Sequence, residues 1–222
     1  MLTRRTFIWG APFVLTGCMT QGRPGLLARD ERGPQDAGVY GAVAGEPFPV
    51  PAVDLNRIDP KFYRRAVAYS TREAAGTIVV DPGQRFAYLV QEGGRAIRYG
   101  VGVGKDEAFN FRGVATIARK AEWPRWVPTP SMIKREPKRY GPYVGGMAGG
   151  VDNPLGPRAL YLYAGGQDTY YRLHGTVEPW TIGTMVSSGC VRLINQDIID
   201  LYRRVPIGTK VVVLPSHGSD VA

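Results

Sequence analysis

The 222-residue sequence has only two cysteines, Cys18 and Cys190, and two histidines, His174 and His217. That scarcity excludes a disulfide-stapled scaffold and leaves too few thiol and imidazole ligands for a structural zinc site. No metal or other cofactor is expected. No apolar run reaches the ~20 residues that a membrane-spanning helix needs. The glycine run Gly100-Val101-Gly102-Val103-Gly104 lacks both the Gly-x-Gly-x-x-Gly spacing and a following helix, which argues against a nucleotide cradle. Acidic side chains are in deficit, 19 against 28 lysines and arginines, for a formal charge of +9. A basic surface favours anionic partners. The cations are scattered rather than striped with aromatics, so no nucleic-acid face is expected.

The N-terminus carries Arg4-Arg5, then a short apolar run from Ile8 to Thr16, then Gly17-Cys18. A basic segment, a short apolar segment and small residues before a cut site describe a secretory signal over residues 1–17. Leu15-Thr16-Gly17-Cys18 resembles a bacterial lipobox, in which the cysteine is lipidated and becomes the new N-terminus. Arg4-Arg5 ahead of Thr6-Phe7 also resembles a twin-arginine export signal, and ordinary Sec export fits equally well. The expectation is an exported chain held to a bacterial membrane through Cys18, its folded domain in the periplasm or cell-wall space. Loss of residues 1–17 would lower the formal charge to +7. Residues 18–58 are rich in glycine, proline and charge without an apolar period, and read as a flexible tether. Residues 59–215 form the single expected domain, and 216–222 a disordered tail.

From Gly76 onward, short β-branched and aromatic runs are split by turns. Thr77–Val80, Arg85–Val90 and Ala96–Val101 are separated by Asp81-Pro82-Gly83 and Gly93-Gly94, a pattern of antiparallel hairpins. Further strands are predicted at Gly113–Ala118, Arg158–Tyr163, Tyr170–Leu173 and Lys210–Leu214. Trp123–Pro130 is a stiff aromatic connection whose tryptophans line a groove or cap the core. Ser131–Glu136 reads as a helical turn, and the glycine-rich stretch 141–156 as a loop beside the site. Asn195 is placed to cap a helix through Arg204, with Ile198, Leu201, Tyr202 and Val205 on one apolar face. The fold class is therefore mostly β with a short C-terminal helix.

Lipidation of Cys18 leaves Cys190 as the lone thiol, and His217 sits in a tail too frayed to position a base. A thiol nucleophile needs a nearby base, because free cysteine ionises only around pH ~8.5. His174 and Cys190 are the credible pair, against the alternative of a buried cysteine and a hydrogen-bonded core histidine. If the chain from Gly189 to Leu193 is extended, Cys190 and Arg192 point one way and Val191 and Leu193 the other. A guanidinium there can grip a substrate carboxylate with two prongs and favour thiolate, or form a structural ion pair with Asp197 or Asp200. The amides of Ser188, Gly189 and Cys190 are candidate oxyanion donors, and Ser187 a candidate substrate contact, although these serines can instead serve a tight turn.

His174-Gly175-Thr176, a ten-residue spacer and Ser187-Ser188-Gly189-Cys190-Val191-Arg192-Leu193-Ile194-Asn195 together resemble the signature of the L,D-transpeptidase (YkuD) family. The likeness extends over about Gly76 to Leu214. It implies an L,D-transpeptidase-like β-sandwich and acyl transfer through a thioester on Cys190, with His174 as general base and acid and the Gly175 carbonyl orienting it. The implied substrate is a peptidoglycan tetrapeptide stem. D-alanine leaves, and the acyl group passes to a stem amine or to a lysine of a wall-attached lipoprotein. With water as acceptor the chain would be an L,D-carboxypeptidase. Two other outcomes remain open: a hydrolase of such cross-links, and a non-catalytic lipid-anchored wall-binding protein. Many relatives carry histidine where this chain has Ser188, which leaves His174 as the sole base.

Overall fold

The structure is a computed structural model that describes residues 35–105, 111–187 and 189–215. The export signal, Cys18, Ser188 and the tail with His217 lie outside the described residues. The chain is mostly β, as its periodicity predicts. Its strands are β1 (Arg65–Ala68), β2 (Ile78–Asp81), β3 (Phe86–Gln91), β4 (Arg95–Gly104), β5 (Gly113–Glu122), β6 (Arg158–Ala164), β7 (Gln167–His174), β8 (Met185–Ser187), β9 (Val191–Leu193) and β10 (Lys210–Val213). Three helices join them, α1 (Pro130–Arg135), α2 (Pro137–Tyr140) and α3 (Asn195–Arg204).

The strands pair in the order β1-β4-β3-β2-β10-β5-β6-β7-β9, and β4 also pairs with β9, so the β-sandwich closes on itself. The predicted hairpins are antiparallel, β2 with β3 and β3 with β4. Three parallel pairs need long connections, β2 with β10, β4 with β8 and β7 with β9. The last matters for the site, because it lays the end of β7 beside the start of β9.

Alternation along the strands divides the core in two. Ile78, Val80, Ala87, Leu89, Val211 and Val213 enter the interior cluster, where Ile198 and Leu201 of α3 and Val205 just after it also pack. Their neighbours Val79, Phe86, Tyr88 and Val90 face the other way and are buried too, against Tyr40, Ile58 and Phe62. A strand buried on both faces reads as a continuous apolar run. The outer face therefore needs a cover, and residues 40–62 supply it.

That cover corrects the reading of residues 18–58 as a tether: over 40–58 the chain is docked. Tyr40, Val50 and Ile58 are buried. Glu46 pairs with Arg158 at 2.6 Å and accepts from Trp123 Nε1 at 2.9 Å. Gln196 Nε2 donates to the Gly41 and Pro51 carbonyls, each at 2.9 Å. Phe62 completes the cover by seating its ring against Gly183 and its backbone against Gly100, where a Cβ on either glycine would collide. A second correction concerns Asn195. It opens α3 after Ile194, and its Oδ1 accepts the Thr176 N–H at 2.8 Å instead of capping the helix.

Candidate active site

β7 ends on His174, and parallel pairing sets Leu173 opposite Val191 and His174 opposite Arg192. Paired residues share a face of the sheet, and alternation turns Val191 and Leu193 into the core. His174, Cys190 and Arg192 consequently open into one cleft of about 550 Å³. Trp126, Tyr140 and Tyr143 from the connection after β5 form its aromatic wall beside Met147, with Arg135 and Arg139 of the two short helices also lining it. Trp126 thus lines the groove, and the glycine-rich loop 141–156 contributes Asp152, Pro154 and Leu155.

His174 is buried, and its Nδ1 lies 2.6 Å from the Gly175 carbonyl oxygen. A carbonyl only accepts, so the proton sits on Nδ1 and Nε2 is left as the acceptor. Burial, joined by the Arg192 charge and opposed by the Gly175 hydrogen bond, pushes the imidazole down to about 3. It is neutral at physiological pH. The neighbourhood that fixes it is close-packed: Gly156 and Gly175 face the Asn195 amide oxygen with no room for a Cβ.

Cys190 is a free, half-buried thiol. Burial pushes its pKa up, against the pull of the Arg172 and Arg192 charges and the Arg172 backbone N–H. Its Sγ donates to the Tyr170 carbonyl at 3.7 Å. Pairing a raised thiol with a lowered imidazole favours the neutral forms of both.

Three of the candidate residues around Cys190 are engaged within the chain. Ser187, placed as a substrate contact, is buried and donates through Oγ to the Cys190 carbonyl at 2.7 Å. The Gly189 N–H, placed as an oxyanion donor, is directed at Ser187 Oγ at 3.1 Å, with Gly189 at φ 128°. Both serve the tight turn that presents Cys190. Arg192 pairs with neither Asp197 nor Asp200, which bind Arg64 and Arg204. Its Nη1 instead meets Glu178 at 2.9 Å and Thr181 Oγ1 at 3.4 Å.

Glu178 is the only acidic residue between His174 and Cys190 in the chain, and that isolation was its one signal in the sequence. Asp168 and Arg172 also reach the site unannounced. They form an ion pair at 2.9 Å on β7, next to the thiol. Among the described residues no three histidine, cysteine, aspartate or glutamate side chains converge as a metal site requires.

Residues 75–213 match the family model of the YkuD L,D-transpeptidase catalytic domain. Two Escherichia coli K12 proteins are similar over part of the chain. One is named "Probable L,D-transpeptidase ErfK/SrfK", 34% identical over 63% of this chain and 44% of its own length. The other is named "Probable L,D-transpeptidase YbiS", 35% identical over 60% of this chain and 43% of its own. The chain thus spans less than half the length of these curated relatives. A solved chain from Brucella melitensis, titled a probable carnitine operon oxidoreductase, is 53% identical over 72% of this chain and 99% of that one, with a TM-score of 0.49. The activity in that title is said of that chain alone.

Proposed function

Because the chain belongs to the YkuD L,D-transpeptidase catalytic domain family, we propose that it is a cysteine acyltransferase of peptidoglycan tetrapeptide stems. Cys190 Sγ attacks the carbonyl carbon of the third stem residue while its proton passes to His174 Nε2. The tetrahedral oxyanion collapses, the C–N bond breaks, and D-alanine leaves with the proton from His174. A thioester remains on Cys190. An acceptor amine, from a second stem or a wall-attached lipoprotein, then attacks it. The amine's proton goes to His174 and returns to the departing sulfur.

The observation that carries this reading is the fixed tautomer of His174. With Nδ1 hydrogen-bonded to Gly175, Nε2 presents its lone pair from the same sheet face as Cys190, in the same cleft. Positioned acid–base groups of this kind contribute ~10²–10⁴ in rate. Arg192, anchored on Glu178, keeps a positive charge beside the reacting atoms. The same reading places the chain outside the cytoplasm, tethered through a lipidated Cys18, with the acidic stem peptides as partners and no cofactor.

Incubation of the mature chain with purified tetrapeptide fragments, followed by mass analysis, tests it. New cross-linked products and released D-alanine are expected, and Cys190→Ala should make neither. Shortened stems without cross-links would mean that water is the acceptor and transfer is wrong. Equal activity in Cys190→Ala would remove the thioester from the mechanism. For the anchor, Cys18→Ser should release the chain from membranes, and unchanged retention would refute lipidation there.

A further inference from the structure

β7 is interrupted immediately before it delivers His174. Tyr161 pairs with Arg172 and Tyr163 with Asp168, so three residues of β7, Thr169 to Tyr171, stand opposite Leu162 alone. A bulge of this kind re-aims a strand, and such bulges concentrate beside active sites. Its central residue, Tyr170, has φ 61°, a left-handed conformation that a non-glycine residue holds only under constraint.

The constraint is visible. Asp168 Oδ1 accepts the Tyr170 N–H at 2.8 Å, and its carboxylate takes both prongs of Arg172, at 3.1 and 2.9 Å. Thr169 Oγ1 donates to the Leu162 carbonyl at 2.6 Å and accepts the Tyr171 N–H at 3.2 Å. The amides of Tyr170 and Tyr171 are thereby satisfied within the bulge. What the bulge directs outward is the Tyr170 carbonyl, and it meets Cys190 Sγ.

We propose that Asp168 is a positioning residue: by clamping the Tyr170 amide and the Arg172 guanidinium, it holds the Tyr170 carbonyl against the Cys190 thiol, so that the S–H is directed at that carbonyl and not at His174. Engagement is then a transfer of one contact. The S–H turns from the Tyr170 carbonyl to His174 Nε2, and its proton crosses to give thiolate and imidazolium with no other bond made or broken. The ionisable groups facing the sulfur are Asp168, Arg172, Tyr171 and His174 on β7 and Arg192 beside it on β9, the last neutralised in part by Glu178. The inference rests on Cys190 being the nucleophile of the proposed function, but its test does not use that reaction.

The test is the pH dependence of Cys190 alkylation by iodoacetamide in the mature chain, read by intact mass. Asp168→Ala removes both clamps, frees the Tyr170 carbonyl and takes away a negative charge near the sulfur. The alkylation midpoint should fall by about one pH unit, roughly tenfold in thiolate fraction below the midpoint. Asp168→Asn keeps an acceptor for the Tyr170 N–H and should shift it clearly less. Thermal melting of each variant separates a shifted thiol from an unfolded chain, and the Asn variant carries the comparison if the Ala variant does not fold. An unmoved or raised midpoint in the variants overturns the proposal. An equal shift in both overturns it as well, because charge without positioning would then suffice. Loss of stem-peptide activity in wild type would instead sink the proposed function and leave this result standing.

Discussion

Removal of one carboxylate tests whether residues 40–58 belong to the folded domain. Glu46 accepts from Arg158 Nη2 at 2.6 Å, from Arg158 Nη1 at 2.9 Å and from Trp123 Nε1 at 2.9 Å, and the two charged side chains are 5% and 7% exposed. Glu46→Ala leaves a guanidinium buried without its partner, which costs about 3–5 kcal/mol. Glu122, 3.7 Å from Arg158 Nε and 59% exposed, offers weak compensation and favours the lower half of that range. For a domain of this size each kcal/mol moves the melting temperature by about 2–4 °C, so a loss of roughly 6–16 °C is expected. The assay is thermal or urea unfolding of the purified chain by circular dichroism. Glu46→Leu combined with Arg158→Met should recover most of the loss, since an apolar pair needs no counter-charge. pH adds a signed check. Burial opposes ionisation of Glu46, but the hydrogen bonds from Arg158 and Trp123 outweigh it and hold the carboxyl below its ordinary value. A lowered carboxyl stabilises the fold above its unfolded pKa and loses that contribution as pH falls through its lowered folded pKa, so the advantage of wild type over Glu46→Gln should shrink as the pH drops below the ordinary carboxylate range. A Glu46→Ala melting temperature within about 1 °C of wild type would refute the docking.

Two further outcomes follow from the site. Because burial lowers His174 to about 3, it stays unprotonated as pH falls below the ordinary imidazole value, and kcat/KM for stem peptides should hold level from about pH 7 to about pH 5; an acid limb near 6.5 would show that the base is solvated. Gly175→Ala drives a Cβ into the Asn195 amide oxygen and Pro157, displacing the carbonyl that holds Nδ1, so kcat should fall at least tenfold with about 1–3 kcal/mol of stability; an active variant with wild-type melting would refute the close packing.

The mostly β framework was legible because β2, β3 and β10 are apolar on both faces and are bounded by turns such as Asp81-Pro82-Gly83. His174, Cys190 and Arg192 were legible because scarcity singles out the first two and alternation groups the third with the second. The cover was not. Tyr40, Val50 and Ile58 dock one at a time onto a surface made by other strands, so they carry no period of 2 or 3.6, and proline and glycine between them mimic a linker. Strands β1 and β8, of four and three residues, are set by their partner β4 and have little pattern of their own. Asn195 fits a helix cap locally, but tertiary packing brings the Thr176 N–H to it first.

The polar groups around Cys190 share one physical constraint. A folded chain must satisfy buried polar groups from within before a ligand arrives, since leaving one unpaired costs about 1–3 kcal/mol. Gly189 N–H is held by Ser187, Ser187 by the Cys190 carbonyl, Arg192 by Glu178 and the Cys190 thiol by Tyr170. These contacts are not equivalent toward an incoming peptide. The Ser187 contacts span three residues inside a turn and define where Cys190 stands, so breaking them would move the nucleophile. The Arg192–Glu178 pair joins two side chains that line the cleft and can rearrange without moving the backbone. The thiol contact is weakest, a sulfur donor at 3.7 Å. A peptide entering the cleft should therefore displace the Tyr170 contact first, engage Arg192 next and leave the turn intact, which makes the bulge on β7 the part of the site that responds and the Ser187 turn the part that stays fixed.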